Sequence, residues 1–391
     1  MTKKDSILYI SDQKFYKYKN RWYTTASFDL ITFKQNFNYI KNWTFIGRLY
    51  FVNDENIVKN LYEIDTKSFE SVKFEGTRNQ KSGAKTYILN LFRIIKLLRR
   101  ESINHDIIWL KLCFNFSLLA SLCCNLESKV LITHMVGDVD ASRYIYKGQF
   151  YDFIRFIQKI LIKRVNNIAT CQVFVSKNLA DLYGNQNGNI IISNENRIKL
   201  KNINVDNKID FSKINNIVYV GRISEEKGLN DLIHSIKEIK NINLTIIGNG
   251  YYEDELKRQI KKLNIQDRVE FKGPIKWGDL LFNELRKNAI LVLPSYSEGL
   301  PLVILEAMSQ GVVVIGSNIP GISEIIDDGE NGLLFKVRSS EDLVNKINQL
   351  RCNPEMYLKL RENGFITATN NTFEKQIKKI SIALNETINK D

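Results

Sequence analysis

Ala289-Ile-Leu-Val-Leu-Pro-Ser-Tyr-Ser-Glu-Gly-Leu-Pro-Leu-Val-Ile-Leu-Glu-Ala-Met-Ser-Gln-Gly-Val-Val-Val-Ile-Gly316 reads as strand, loop, helix and strand in 28 residues. The runs Ala289 to Leu293 and Val312 to Gly316 are almost wholly apolar, as strands covered on both faces are. Between them, Gly299 permits a close backbone approach, Pro301 suits the first turn of a helix and Gly311 suits its end. The spacing predicts a helix over Leu302 to Gln310. Outward from this stretch the same alternation continues. Strands are predicted at Asn216 to Val220, Leu244 to Ile247 and Arg268 to Phe271, and helices at Leu229 to Ile239, Tyr252 to Leu263 and Leu280 to Lys287. Strands alternating with helices of this length build βαβ units around a doubly wound parallel sheet.

The rest of the chain is less regular. At 391 residues there is room for two domains, each with its own core. Strands are expected at Ile7 to Ile10, Thr44 to Leu49, Asp106 to Leu110, Val130 to Thr133 and Cys171 to Val175, with amphipathic helices between them. This gives an N-terminal α/β domain over 1–200, a C-terminal one over 201–372 and a last amphipathic helix, 373–391, crossing back to the first. The polar segment Asn194 to Lys213 reads as the linker. A composition of 44% hydrophobic and 25% charged residues excludes disordered, collagenous and disulfide-scaffold classes. No run of about 18 apolar residues offers a membrane span. The apolar stretch at the start is too short for a signal peptide, and the five cysteines show no metal spacing. A cytoplasmic protein with reduced thiols is the expectation.

The net charge of +13 is unevenly placed. Residues 1–211 hold 32 Lys and Arg against 19 Asp and Glu, whereas residues 212–391 hold 24 of each. Such a field attracts phosphate-rich partners, whether nucleotide or the anionic inner face of a membrane. Two segments concentrate it: Tyr87 to Arg100, with Arg93, Lys96, Arg99 and Arg100, and Phe153 to Arg164, with Arg155, Lys159, Lys163 and Arg164. Each reads either as an interfacial helix, making the protein membrane-peripheral, or as an ordinary core helix with a solvated basic edge. No zinc finger, helix-turn-helix or base-stacking motif supports a nucleic-acid partner.

Two loops carry the chemistry. Glu298 follows a buried strand, at the end where open α/β sheets bind ligands, and Glu306 lies eight positions on, in the helix the loop opens. Carboxylates accept hydrogen bonds from neighbouring hydroxyls, so sugar and ribose suit them, and a helix start favours phosphate. In Tyr219-Val-Gly-Arg-Ile-Ser-Glu-Glu-Lys-Gly228, Arg222 and Lys227 flank a loop at the end of another strand. A guanidinium and an ammonium together suit a diphosphate. Taken singly, each residue also reads as an ordinary surface side chain.

The run from Val218-Tyr-Val-Gly-Arg-Ile-Ser-Glu-Glu-Lys-Gly228 to Glu298-Gly-Leu-Pro301, Glu306-Ala-Met308 and Gly311 resembles the nucleotide-sugar domain of retaining glycosyltransferases of family 4. Pro320-Gly-Ile-Ser-Glu-Ile-Ile326 and Asp328-Gly-Glu-Asn-Gly-Leu-Leu-Phe335 are similar to the same family. The resemblance implies the GT-B fold, two Rossmann-like doubly wound domains facing a central cleft. It implies transfer of a sugar from a UDP- or GDP-linked nucleotide diphosphosugar to a glycan or lipid-linked acceptor, without cofactor or metal, in capsule, lipopolysaccharide or related surface-polysaccharide synthesis.

It also implies roles for particular residues. Arg222 and Lys227 would hold the diphosphate. Glu298, with the Gly299 and Leu300 amides, would orient the sugar, and Glu306 would bind the ribose. Gly221, Gly248, Gly250, Gly273, Ile275 and Pro301 would line the donor site. His134, in Leu131-Ile-Thr-His-Met-Val-Gly-Asp138, would stand near donor sugar and acceptor.

Three features depart from the family. The glycine pair expected in a loop after the first strand is replaced by the lysine- and aromatic-rich Ser11 to Arg21. Val313 stands where a proline is usual. Asp138-Val-Asp140 mimics a metal-binding motif of a different glycosyltransferase fold. Two alternatives stand beside the transferase reading: a GT-B-fold sugar-nucleotide epimerase and a non-catalytic partner subunit of a glycosyltransferase complex.

Overall fold

A computed structural model of the chain describes residues 5–25, 36–37, 39–59, 61–67, 70–78, 84–112, 115–140, 148–194, 196–205 and 211–388. Cys113 and parts of the expected linker lie outside the described residues. The chain divides into two compact units, 1–194 with 376–391, and 195–375.

In the second unit the strands are β10 (Asn216–Val220), β11 (Asn243–Ile247), β12 (Val269–Gly273), β13 (Ile290–Leu293), β14 (Val313–Ser317) and β15 (Leu333–Phe335). They form one parallel sheet in the order β12-β11-β10-β13-β14-β15. Chain order runs outward from β10 on one side and from β13 on the other. The switch point therefore falls between these two strands, the place where such sheets bind ligands. The helices between the strands, among them Leu229–Glu238, Glu253–Lys262 and Val303–Ser309, turn apolar residues such as Leu232, Leu256 and Ile304 into one continuous core. Gly311, with φ of 75°, ends the last of these helices. Val312 N–H donates to Ala307 O and Gly311 N–H to Met308 O, both at 3.1 Å, the pattern of a Schellman cap.

The expected linker is built into this unit where it is described. Ile198 is fully buried in the core, Asn196 Nδ2 donates to Asn371 O at 2.7 Å, and Asn204 N–H donates to Ser309 O at 2.9 Å. Polar composition hid one buried anchor, Ile198, and side chains that satisfy backbone groups of the neighbouring helices.

The first unit contains β1 (Ser6–Tyr18), β2 (Arg21–Thr24), β3 (Asn42–Phe51), β4 (Tyr62–Ile64), β5 (Ser71–Arg78), β6 (Ile107–Leu112), β7 (Val130–Met135), β8 (Cys171–Phe174) and β9 (Ile190–Ile192). They form one sheet in the order β4-β2-β1-β6-β7-β8-β9, with β3 pairing β1 and β5 pairing β3. The expected loop at Ser11 to Arg21 is instead a continuation of the first strand. After a register shift between Ile10 and Lys14, β1 pairs β3 again through Lys17 and turns back at residues 19–20 into β2. Its aromatic residues explain the extension: Tyr16 stacks on Tyr50 at 5.0 Å, Phe15 meets Phe74 at 4.9 Å and Trp22 meets Phe74 at 4.5 Å. Such cross-strand aromatic contacts are a main source of sheet stability. The final helix, Phe373–Ile388, enters the first unit at Gln376, where Ser193 Oγ donates to Gln376 O at 3.2 Å and Ser381 Oγ to Asn36 O at 2.6 Å.

Candidate functional site

The loops after β10 and β13, which flank the switch point, are fastened to each other. Gly228 has φ of 65°, and a Cβ there would lie 2.0 Å from Pro294 O. Tyr296 N–H donates to Glu226 O at 2.8 Å. This brings Lys227 Nζ to 2.7 Å from Glu298 Oε1, with each side chain only 12% exposed. The same oxygen accepts from Ser295 Oγ at 2.7 Å, and Ser317 Oγ in turn donates to Ser295 O. Both serines are fully buried. Glu298 is thus fixed by a buried hydroxyl and an ammonium, with its charge balanced.

Arg222 sits on the first of the two loops with its side chain 65% exposed, its guanidinium 3.4 Å from Glu226 Oε1. Glu226 is itself buried and accepts from Ser224 Oγ at 2.6 Å. Beneath the loop, Tyr219 is fully buried and donates its hydroxyl to Arg222 O at 2.6 Å. Burial, followed by the nearby Glu298 and Glu226 charges, pushes the Tyr219 phenol far above its usual range, so it serves as a fixed donor.

Glycines hold the strand ends together. A Cβ on Gly248, whose φ is 136°, would fall 1.9 Å from Gly221 O, and one on Gly250 would fall 2.1 Å from Ile223 O. Gly248 N–H donates to Gly273 O at 2.9 Å. Ile275, beyond Gly273, packs partly buried against the core, as does Leu300. Pro301 is buried one turn ahead of Ile304, whose N–H donates to its carbonyl at 3.1 Å. The backbone of Glu298 and Gly299 is covered by Gly321, where a Cβ would come within 2.5 Å of Glu298 O and 2.6 Å of Gly299 O.

Glu306, on helix Val303–Ser309, accepts from Trp277 Nε1 at 2.9 Å. Its carboxyl is raised above the ordinary range by burial, against the opposing pull of Arg197 and the indole. A carboxylate kept from water with one lone pair already engaged is suited to accepting further hydrogen bonds from polyol hydroxyls.

Residues 203–366 match the family described as glycosyl transferases group 1. An uncharacterized glycosyltransferase of Haemophilus influenzae is 32% identical over 199 residues, which is 49% of this chain and 54% of that protein. The chain therefore spans about half the length of that relative. A lipopolysaccharide core biosynthesis glycosyltransferase, LpsE of Rhizobium meliloti, is 30% identical over 39% of this chain and 44% of its own length. Among solved structures, HepE from Anabaena in complex with UDP superposes with a TM-score of 0.66 at 15% identity, over 99% of this chain and 100% of that one. The fold is GT-B, with two Rossmann-like halves.

The matched stretch, residues 203–366, contains all of the expected site residues except His134. Lys227 and Glu298 are in direct contact, Arg222 is joined to them through Glu226 and the shared loop, and the glycines close the floor. His134 belongs to the first unit, near the end of β7. It is buried there and its ring lies 6.0 Å from that of Trp109. The aspartates of Asp138-Val-Asp140 serve the fold: Asp138 accepts from the Tyr183 hydroxyl and Asp140 pairs with Lys159 Nζ, each at 2.6 Å.

Five residues of the domain's site escaped the sequence reading: Tyr219, Trp277, Ser295, Tyr296 and Arg338. Arg338, a non-glycine with φ of 63°, lies 4.4 Å over the Tyr296 ring. Burial and the Asp231 carboxylate push the Tyr296 phenol up to about 12, and together these groups brace the backbone that holds Glu226. Tyr219 and Ser295 stand inside the quoted motifs and could have been singled out as polar groups in buried strand ends. Trp277 and Arg338 carry no local signal.

Proposed function

We propose that the chain is a retaining glycosyltransferase that moves a sugar from a UDP- or GDP-linked nucleotide diphosphosugar to a hydroxyl of a glycan or lipid-linked acceptor. In this reading the anomeric carbon's bond to phosphate breaks as its bond to the acceptor oxygen forms on the same face; the bonding electrons leave with the diphosphate, whose departing oxygen takes the proton from the acceptor hydroxyl. Lys227 and Arg222 hold that growing charge, so neither a metal nor a cofactor is required. Preorganised donors of this kind contribute about 2.7–4 kcal/mol each to a barrier. Glu298, with the Gly299 and Leu300 amides, orients the sugar, and Glu306 takes the ribose hydroxyls. His134, in the first unit, would act in the same reaction.

The observation that carries the proposal is the Lys227–Glu298 contact at the sheet's switch point, a positive and a negative group aimed at one place and shielded from water. The neighbours' names support it: HepE is in complex with UDP, and LpsE takes part in lipopolysaccharide core biosynthesis. Surface polysaccharide is accordingly the proposed product class, made at the cytoplasmic side of a membrane.

Thermal stabilisation by a panel of UDP- and GDP-sugars identifies the donor, since a ligand at 100 times its Kd adds about 2.7 kcal/mol of stability. Product analysis with that donor then separates the readings. Transfer that depends on acceptor and falls about 10²–10³-fold in Lys227→Ala is expected. A new free nucleotide sugar formed without acceptor would make the protein an epimerase, and stabilisation by no donor would leave it a non-catalytic partner.

A further inference from the structure

The two basic segments of the first half fold differently. In helix Ala84–Ile103 the exposed residues of the second half include Arg93, Lys96, Arg99 and Arg100, while Ile94 and Leu98 are buried. That is the ordinary arrangement of an amphipathic helix. Helix Gln149–Ile168 inverts it over its first three turns. Arg155 is buried and pairs with Asp152, which is itself exposed beside Gln149, and the other exposed residues of these turns are aromatic and aliphatic. Phe150 is 70% exposed, Phe153 62%, Phe156 59% and Ile160 48%, with Ile154 and Ile157 also exposed. At about 100° per residue these six side chains cover roughly 160° of the helix surface. The helix is anchored on its other side by Ile162 and Val165, so the apolar face is not the one that packs into the unit. An expectation of a basic edge at Arg155 is thereby corrected.

The charges lie beside this face. Lys163 and Arg164 are both exposed one turn beyond Ile160, and Lys159 is half-exposed. Wheel positions place Arg164 between Ile160 and Phe150, on the apolar stripe itself, and Lys163 at its border. Exposed aromatic and aliphatic side chains with cations at one end match a bilayer surface, where rings enter the headgroup boundary and cations meet phosphate. Among the described residues, no helix is long and apolar enough to cross a membrane.

We propose that the Phe150-to-Ile160 face of this helix docks the protein onto an anionic phospholipid bilayer. The proposal deepens the reading of the acceptor as lipid-linked and rests on it for its purpose. Bilayer binding itself is measured without donor or acceptor, so its failure leaves the transfer reaction standing.

The test is flotation of the full chain with vesicles of phosphatidylcholine alone or with 30% phosphatidylglycerol, at low and at high salt. We expect recovery with the anionic vesicles at low salt, reduced at high salt. The triple variant Phe150→Ser, Phe153→Ser, Phe156→Ser should lose it, while Lys163→Glu with Arg164→Glu should weaken it at least about tenfold. Phe153→Ser alone serves as the milder variant should the triple fail to fold. Far-UV circular dichroism and Tm should be unchanged in every variant compared. Absence of flotation at low salt overturns the proposal. So does sedimentation showing a wild-type dimer that the triple variant dissolves with vesicle binding intact, because the face would then be an interface between copies.

Discussion

Both units solve one steric problem with the same device and use it differently. In each, two neighbouring parallel strands approach so closely that only glycine fits: a Cβ on Gly76 would lie 1.7 Å from Gly47 O, and one on Gly248 would lie 1.9 Å from Gly221 O. In the second unit the crossing falls just after the ends of β10 and β11, so the chain leaves the sheet and forms the loops that carry Arg222 and Lys227. In the first unit Gly47 and Gly76 sit in register inside β3 and β5, and both strands run on past them. There β1 bulges and continues into the aromatic hairpin. A close crossing makes a binding loop when the ladder ends at it, and a twisted extension when the ladder continues.

Alanine at these positions puts the comparison under the greatest load. Gly76→Ala and Gly248→Ala each combine a backbone collision with a left-handed φ, 148° and 136°, and should each cost about 3 kcal/mol or more. Gly273→Ala has φ of 65° but open space around the added methyl, and should cost about 1–2 kcal/mol. Denaturant melts check the ranking. Equal losses at all three positions would mean that conformation, not crowding, sets the cost. Among the surviving folded molecules, Gly248→Ala should weaken nucleotide binding and Gly76→Ala should not.

A smaller effect separates stability from function inside the second unit. Burial raises the Glu306 carboxyl, so the folded state holds its proton more tightly than the unfolded chain does. The associated stability is present below the unfolded carboxyl pKa of about 4.3 and is lost as pH rises through the folded value. Glu306→Gln keeps the acceptor for Trp277 Nε1 and removes that loss. Its Tm at pH 7 should rise by about 2 °C, with the gain vanishing towards pH 4. Nucleotide affinity should fall by roughly tenfold, as the loss of a charged hydrogen-bond acceptor implies. A variant less stable than wild type at pH 7 would assign Glu306 to holding the fold.

The units also differ in how far the sequence discloses them. In the second, the strands and helices from Asn216 to Gly316 follow from neighbours in the chain: Gly311 caps its helix, and Ala289 to Leu293 is apolar because it is covered on both faces. Arg222, Lys227, Glu298 and Glu306 were therefore legible together with the places they occupy. Trp277 and Arg338 were not, because their partners lie 29 and about 40 residues away and nothing local marks them. In the first unit the extension of β1 depends on β3 and β5, tens of residues on, and a lysine-rich stretch conceals it. The inverted helix is hidden for a related reason: a helix shows its period locally, but which face turns inward is decided by what packs on it. Arg155 is turned inward because Ile162 and Val165 fix the roll, and the exposed Asp152 pairs with it.

The central claim is that Lys227 and Arg222 grip a diphosphate, and calorimetric titration of nucleoside diphosphates against monophosphates tests it most directly. UDP and UMP, and GDP and GMP, are titrated into the wild-type chain and into Lys227→Ala. The account predicts that one diphosphate binds at least about tenfold tighter than its monophosphate, and that Lys227→Ala removes most of this preference while leaving monophosphate affinity nearly unchanged. Equal affinity for the two in the wild-type protein, or a preference that survives in Lys227→Ala, would contradict it.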